Sequence, residues 1–424
     1  MKLPRGLWHS LLALVGSGIG ARPSWAASGS SPAGAESLLR AGRFEEAGQA
    51  FEGRVVREPR DRVALMGLGF LALLRNDLPE AKRRLEAALQ LERRDKEALA
   101  LLAQVYYRRD DFERAAPLFR KVGRKALAQK LESFGHRVPY RIEGDLPSAQ
   151  VPFLRTDPLP IVNLRVNGTE GRFLIDTGGA ELMLDREFGR KVEVVRFGSE
   201  RSYFGGGQRA GLDHGRIDAV QLGGFTVRDV PVHVMDLQGI GPLLGEPRLD
   251  GILGTVLLYH FRTTIDYAAG RLRLDRRTER QGRPEPAAPA DGGVAVPFWL
   301  ADDHFIVTQG SVNGAASMLF FVDTGLAGGA FTCPKSTLAA AAIAVKGEAV
   351  KGLGAGGRFA AVPFPIGELA LGSLVRKDLD GVTNAFPPQL EWDLGFHLGG
   401  LVSHQFFRPG SLTLDFDAMR LVVR

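Results

Sequence analysis

The sequence predicts a multidomain chain: an all-α helical repeat followed by a mainly β region built as two tandem lobes. Three observations carry this. In the first third, apolar and small residues recur every 34 positions. From residue 150 the helical period gives way to short β-like runs split by Gly and Pro. Within that second region one set of landmarks occurs twice, at offsets between 145 and 149 residues. A chain of 424 residues is too long for one ordinary core, so two or three domains are expected.

In the helical part, Phe44, Leu78 and Phe112 share the 34-residue spacing, as do Ala47, Ala81 and Ala115, and Phe51, Leu85 and Phe119. Gly42, Asn76 and Asp110 hold the turn position before each. Ala64 matches Ala98, and Leu68 matches Leu102. Each unit is an apolar-periodic helix, a polar turn and a second helix, with Ala where two helices approach closely. The pattern resembles tetratricopeptide repeats over residues 33–135, with an incomplete leading unit. Pro117 should kink or shorten the last repeat's second helix. A stack this short needs a cap, which the following region can supply. The resemblance implies either a concave face for a protein partner or a docking spacer.

Residues 1–26 read as a secretory signal peptide: Lys2 and Arg5, an apolar run from Leu7 to Ala21, then Ser24-Trp25-Ala26 as a small-x-small cleavage site. The alternative is an uncleaved anchor, for which the run is short. Removal of Lys2, Arg5 and Arg22 takes the formal charge from +6 to +3, too small to point to nucleic acid. No later run is long and apolar enough to span a bilayer. The single cysteine, Cys333, excludes an internal disulfide and a cysteine-based zinc site, and following Ala330-Phe331 it is expected to be buried. An Ala/Gly/Arg-rich exported chain of this kind fits a bacterial periplasm or secretion.

The β region reads as a duplication. Val151-Pro152-Phe153 is echoed by Val296-Pro297-Phe298, and Val166-Asn167-Gly168 by Val312-Asn313-Gly314, with Asn-Gly a hairpin signal. Phe173-Leu174-Ile175-Asp176-Thr177-Gly178 is echoed by Phe320-Phe321-Val322-Asp323-Thr324-Gly325. Gly251-Ile252-Leu253-Gly254 is matched, more loosely, to Leu398-Gly399-Gly400-Leu401. Thr264-Ile265-Asp266-Tyr267 corresponds to Thr413-Leu414-Asp415-Phe416. Residues 150–277 and 294–424 are thus expected to be two copies of one lobe, joined by a Pro- and Ala-rich linker at 278–293.

An apolar strand running into Asp-Thr-Gly delivers a carboxylate to the end of a sheet, and the Gly permits a sharp turn and a close approach. One such tripeptide is a common turn; two in matching places are a signal. A glycine-rich hairpin follows each, at Tyr203-Phe204-Gly205-Gly206-Gly207 and at Gly352 to Gly357. This order resembles the retropepsin-like (pepsin/retropepsin) aspartic proteases over residues 150–424. The resemblance implies a bilobal acid-protease fold and an aspartic endopeptidase acting on protein or peptide substrates, with no cofactor and no metal. It makes Asp176 and Asp323 the catalytic carboxylates and Thr177, Gly178, Thr324 and Gly325 their supporting residues. Tyr203, Phe204, Gly205, Gly206, Gly354 and Gly356 become flap residues closing on substrate. Two carboxylates in contact share one proton, so one serves as base and the other as acid. Gly179 is a tolerable departure from the family pattern, whereas Leu326-Ala327-Gly328-Gly329 changes the second loop. A non-catalytic peptide-binding scaffold is therefore the alternative, and pairing of lobes from two chains another.

Ser403-His404 lacks a nucleophile elbow. Asp302-Asp303-His304 is expected to be a solvated turn. Asp266 and Asp415 are expected to be strand-end carboxylates satisfied by backbone donors.

Overall fold

The computed structural model describes residues 11–13, 34–203, 209–277, 292–354, 357–387 and 389–424. Seven helices come first: α1 (Ala35–Arg40), α2 (Phe44–Arg57), α3 (Arg62–Leu74), α4 (Leu78–Leu91), α5 (Lys96–Arg108), α6 (Phe112–Lys121) and α7 (Lys125–Glu132). The leading helix is one short piece, and Pro117 sits inside an α6 of 10 residues where α2 and α4 each have 14. Asp61, Asp77, Asp95 and Asp111 cap α3 to α6 by accepting amide N–H bonds. Such caps satisfy donors the helix itself leaves open. The turn residues Gly42, Asn76 and Asp110 all adopt left-handed backbone, with φ of 74°, 56° and 58°.

Helices α3 and α5 are buried on every face, from Ala64 to Leu74 and from Ala98 to Arg108. A helix apolar all round must be covered all round. Neighbouring helices cover one side, and the β lobes cover the other. The turn residues carry much of this docking. A Cβ on Gly42 would lie 2.5 Å from Leu319. Asn76 Nδ2 reaches Tyr259 Oη at 3.1 Å, and Asp110 Oδ2 lies 3.0 Å from His260 Nε2. Arg108 donates to the carbonyls of Leu73 (2.6 Å) and Leu300 (2.8 Å), and also to that of Asp302. The short helical stack is therefore capped by the chain's own lobes, as its length requires.

Each lobe is built in the same order. In lobe one, Ile161–Val166 and Thr169–Ile175 form a hairpin through Asn167-Gly168, whose φ values are 45° and 83°. Thr169–Ile175 then pairs in parallel with Gly251–Leu253, which lies antiparallel to Leu182–Asp185. In lobe two, Phe305–Val312 and Met318–Asp323 turn at Asn313-Gly314, with φ of 49° and 72°. Met318–Asp323 pairs in parallel with Gly400–Ser403, which lies antiparallel to Phe331–Thr332. This register corrects the looser sequence alignment: Val402 opposes Val322 as Leu253 opposes Ile175. The true counterpart of Gly251-Ile252-Leu253-Gly254 is Gly400-Leu401-Val402-Ser403, so the element is offset by two residues, not eroded.

A shared antiparallel sheet joins the lobes, three strands from each. Its order is Ser148–Arg155, Arg271–Arg276, Phe261–Asp266, Ser411–Asp415, Arg420–Val423 and Val294–Ala301. At its centre Thr264 opposes Thr413, their hydroxyls 2.8 Å apart. Asp266 and Asp415 accept from the amides of Ala269 (2.9 Å) and Ala418 (3.0 Å), the backbone satisfaction the sequence suggested. Most of residues 1–26, read from the sequence as a signal segment, and residues 278–291 of the expected linker lie outside the described residues. Leu11–Ala13 forms a short strand parallel to Gly352–Gly354. Among the described residues no helix is long and apolar enough to cross a membrane.

Candidate active site

The two Asp-Thr-Gly segments meet where the lobes face each other. Asp176 directly follows the strand Thr169–Ile175 and Asp323 ends Met318–Asp323, so both carboxyl groups are delivered from sheet ends and are fully buried. Each is held from below by its own loop: Gly178 N–H donates to Asp176 Oδ1 at 2.7 Å, and Gly325 N–H to Asp323 Oδ1 at 2.8 Å. The threonines cross over. Thr177 N–H donates to Thr324 Oγ1 and Thr324 N–H to Thr177 Oγ1, both at 3.0 Å. The hydroxyls then donate onward, Thr177 to Val322 O at 2.8 Å and Thr324 to Ile175 O at 3.2 Å. Four bonds thus lock one loop to the other with near two-fold symmetry.

The glycines are there for space. A Cβ on Gly178 would lie 2.7 Å from Asp323 Cγ, and one on Gly325 only 2.3 Å from Asp176 Cγ. Each carboxyl group therefore packs over the opposite lobe's glycine. The outer oxygens, Asp176 Oδ2 and Asp323 Oδ2, are buried and receive no hydrogen bond from any group outside the pair. Buried acceptors of this kind need a proton or a donor to satisfy them. Burial raises the Asp176 carboxyl above its ordinary value, and the hydrogen bond from Asp323 restrains that rise. Burial raises Asp323 well above the ordinary value, and the Asp176 charge adds to it. Two carboxyl groups packed this closely do not both ionise cheaply.

The altered second loop keeps this geometry. Leu326 folds into the main core at 0% exposure, and Gly328 takes a left-handed turn at φ 85°. In lobe one the loop is tied back by Thr255 N–H to Gly179 O at 2.9 Å. In lobe two the tie is from Ser403 Oγ to Gly329 O at 2.6 Å, so the second loop is longer yet anchored at the matching strand. That bond also commits the Ser403 hydroxyl to structure, and His404 beside it is buried with its pKa pushed down to about 3.

The hairpins expected above the site are present as Val195–Tyr203 with Arg209–Leu222, and Val350–Gly354 with Gly357–Ala361. Tyr203 and Gly354 end strands of these hairpins, while Phe204, Gly205, Gly206 and Gly356 lie outside the described residues. A separate apolar cluster, including Ile161, Leu212, Leu237, Ile240, Ile252 and Ala327, links the lobe-one hairpin to the second Asp-Thr-Gly loop. Cys333 is buried, as expected. No group of residues suited to a metal ion occurs among the described residues.

One expectation fails. Asp303 and His304 are not a solvated turn; they are 3% and 0% exposed, roofed by α5 through Gln104 and Arg108 on Asp302. The His304 imidazole pairs with Asp303, which outweighs the cost of burial and raises its pKa, and its charge reaches Asp176. Sequence reading also missed Glu181, Lys130 and Tyr107. A Glu directly before the strand Leu182–Asp185, next to the Asp-Thr-Gly loop, was the available signal.

The aspartyl protease family model matches residues 162–257, and the tetratricopeptide repeat model matches residues 62–87 and 97–121. Most of the first lobe is thus similar to aspartyl proteases, and α3 to α6 are similar to tetratricopeptide repeats. A retropepsin-like aspartic protease from Rickettsia conorii, known by crystal structure, is 21% identical, covering 32% of this chain and 94% of that one, at a TM-score of 0.22. No curated protein matches the chain.

Proposed function

We propose that this chain is an exported aspartic endopeptidase in which Asp176 and Asp323 form one catalytic dyad across two lobes of the same chain. The observation that carries the reading is the pair of buried carboxyl groups, each free at one oxygen, locked by the crossed Thr177 and Thr324 bonds. Asp176 is the charged member and takes a proton from a bound water as that water attacks the peptide carbonyl carbon. Asp323 gives its proton to the carbonyl oxygen. The resulting gem-diol collapses as one hydroxyl proton returns to the dyad and the other aspartic proton goes to the leaving nitrogen, breaking the C–N bond. The dyad ends with the one proton it began with.

Substrate binds in extended form. The parallel pairing of Leu11–Ala13 with Gly352–Gly354 supports this, since the lobe-two hairpin edge accepts an extended segment of chain by backbone bonds. The apolar cluster between the lobe-one hairpin and the second Asp-Thr-Gly loop favours apolar side chains beside the scissile bond. The repeats make their protein interaction within the chain, against the lobes.

The test is cleavage of a peptide library across about pH 3 to 8 by the mature chain and by Asp176→Asn and Asp323→Asn. Cleavage lost in both variants supports one shared dyad. A folded parent that cleaves nothing but binds peptide identifies a non-catalytic scaffold.

A further inference from the structure

Glu181 is the residue at which the active loop of lobe one is handed to its next strand. The loop up to it has no slack. Gly179 O and Ala180 O accept from Thr255 N–H and Val256 N–H, each at 2.9 Å. A Cβ on Gly254 would meet Ala180 O at 2.3 Å and Glu181 O at 2.6 Å, so the two segments are in backbone contact. The Glu181 side chain then turns toward the helical module. Lys130 Nζ on α7 lies 2.6 Å from each of its carboxylate oxygens, both side chains being fully buried. The Tyr107 hydroxyl on α5 donates to Oε1. His233, held neutral by burial, stands 3.5 Å from Oε2.

Both polar anchors come from the helical module, on two different helices. The desolvation cost of a buried pair largely cancels its attraction, so an apolar pair would serve stability as well. What a charge-assisted, two-oxygen bond adds is direction: it fixes where the carboxylate, and the chain carrying it, must lie.

We propose that Lys130 and Tyr107 are positioning residues that hold the Asp176 loop through Glu181, making the helical repeats an integral part of the active site. This rests on the dyad reading above. On this proposal the helices set the position of Asp176 relative to Asp323 without touching substrate.

The test compares the full-length parent with Lys130→Met/Glu181→Leu, which replaces the pair by apolar groups, and with Tyr107→Phe, which removes only one hydroxyl. Amide hydrogen exchange is read at Thr177 to Ala180 and, as reference, at the strand Arg271–Arg276 of the shared sheet, away from Glu181; kcat and KM are read on a peptide substrate. The expected result is exchange at the active loop faster by about tenfold in the double variant, with the reference strand unchanged. kcat should fall by about tenfold or more at constant KM, and Tyr107→Phe should show the same pattern more weakly. Unchanged loop exchange in a folded double variant overturns the proposal. Should the double variant not fold, unchanged loop exchange in Tyr107→Phe does so. A parent that cleaves nothing overturns the protease reading instead, and the exchange comparison still decides the positioning role.

Discussion

Placing a methyl group under either of the paired carboxyl groups tests the geometry of the site most directly. In Gly325→Ala the new Cβ would stand 2.3 Å from Asp176 Cγ and 2.3 Å from its Oδ1. Carbon atoms rest about 3.5–4.0 Å apart, so the overlap exceeds about 1 Å and one group must move. The loop cannot give easily, because the crossed threonine bonds hold it on both sides. Overpacking of this kind costs about 1–3 kcal/mol of stability. A displacement near 1 Å at a reacting group costs on the order of a hundredfold in rate. Gly179→Ala is the matched control, since its Cβ would lie 3.4 Å from Ile252 Cγ2 and 3.5 Å from Asp176 O, ordinary contact distances. Peptide cleavage kinetics and thermal unfolding on the three proteins decide the matter. Gly325→Ala should lose roughly a hundredfold in kcat and melt earlier, while Gly179→Ala stays within a few-fold of the parent. Equal kinetics for the two variants would refute the argument that the glycine exists to seat the opposite carboxyl.

Three further outcomes are expected. Both dyad carboxyls are raised by burial, so the rate against pH should be bell-shaped, with its acidic limb above the ordinary aspartate value of about 3.9 and its basic limb well above that. Because the folded state keeps its proton where the unfolded chain has lost it, this pair's contribution to stability is full below that ordinary value. It is lost as pH rises through the folded values, and Asp323→Asn should abolish cleavage while flattening the fall in Tm. Lys130→Met alone, leaving Glu181 buried and unpaired, should cost about 3–5 kcal/mol by urea unfolding, and Lys130→Met/Glu181→Leu should recover most of it. Burial pushes the Cys333 thiol up to about 12, so a thiol reagent at pH 8 should leave the folded protein unlabelled and react once urea unfolds it.

The chemical order of the chain is legible in its sequence because local physics writes it there. The 34-residue spacing of Phe44, Leu78 and Phe112 is a packing period, and Asn167-Gly168 and Asn313-Gly314 are turns that need left-handed backbone. Asp176 and Asp323 stand out because the tripeptide recurs inside matching strands, and the structure brings the two carboxyl groups together. The looser features misled where pairing partners decide. The match to Leu398-Gly399-Gly400-Leu401 was out of register because glycine spacing alone does not define a strand's neighbour, and the hydrogen bonds to Met318–Asp323 do.

Sequence by itself determines the helical repeat, the duplication and which carboxylates are candidates, since each depends on contacts or turns a few residues long. Tertiary structure alone decides that the repeats embrace the lobes, that Asp303 and His304 are buried, and that Glu181 is gripped by Lys130 and Tyr107. Burial and ionic pairing are properties of surfaces brought together from distant parts of the chain. A polar residue carries no local mark of the partner that will cover it, so a charged pair such as Lys130 and Glu181 reads as two solvated side chains until the fold closes over both.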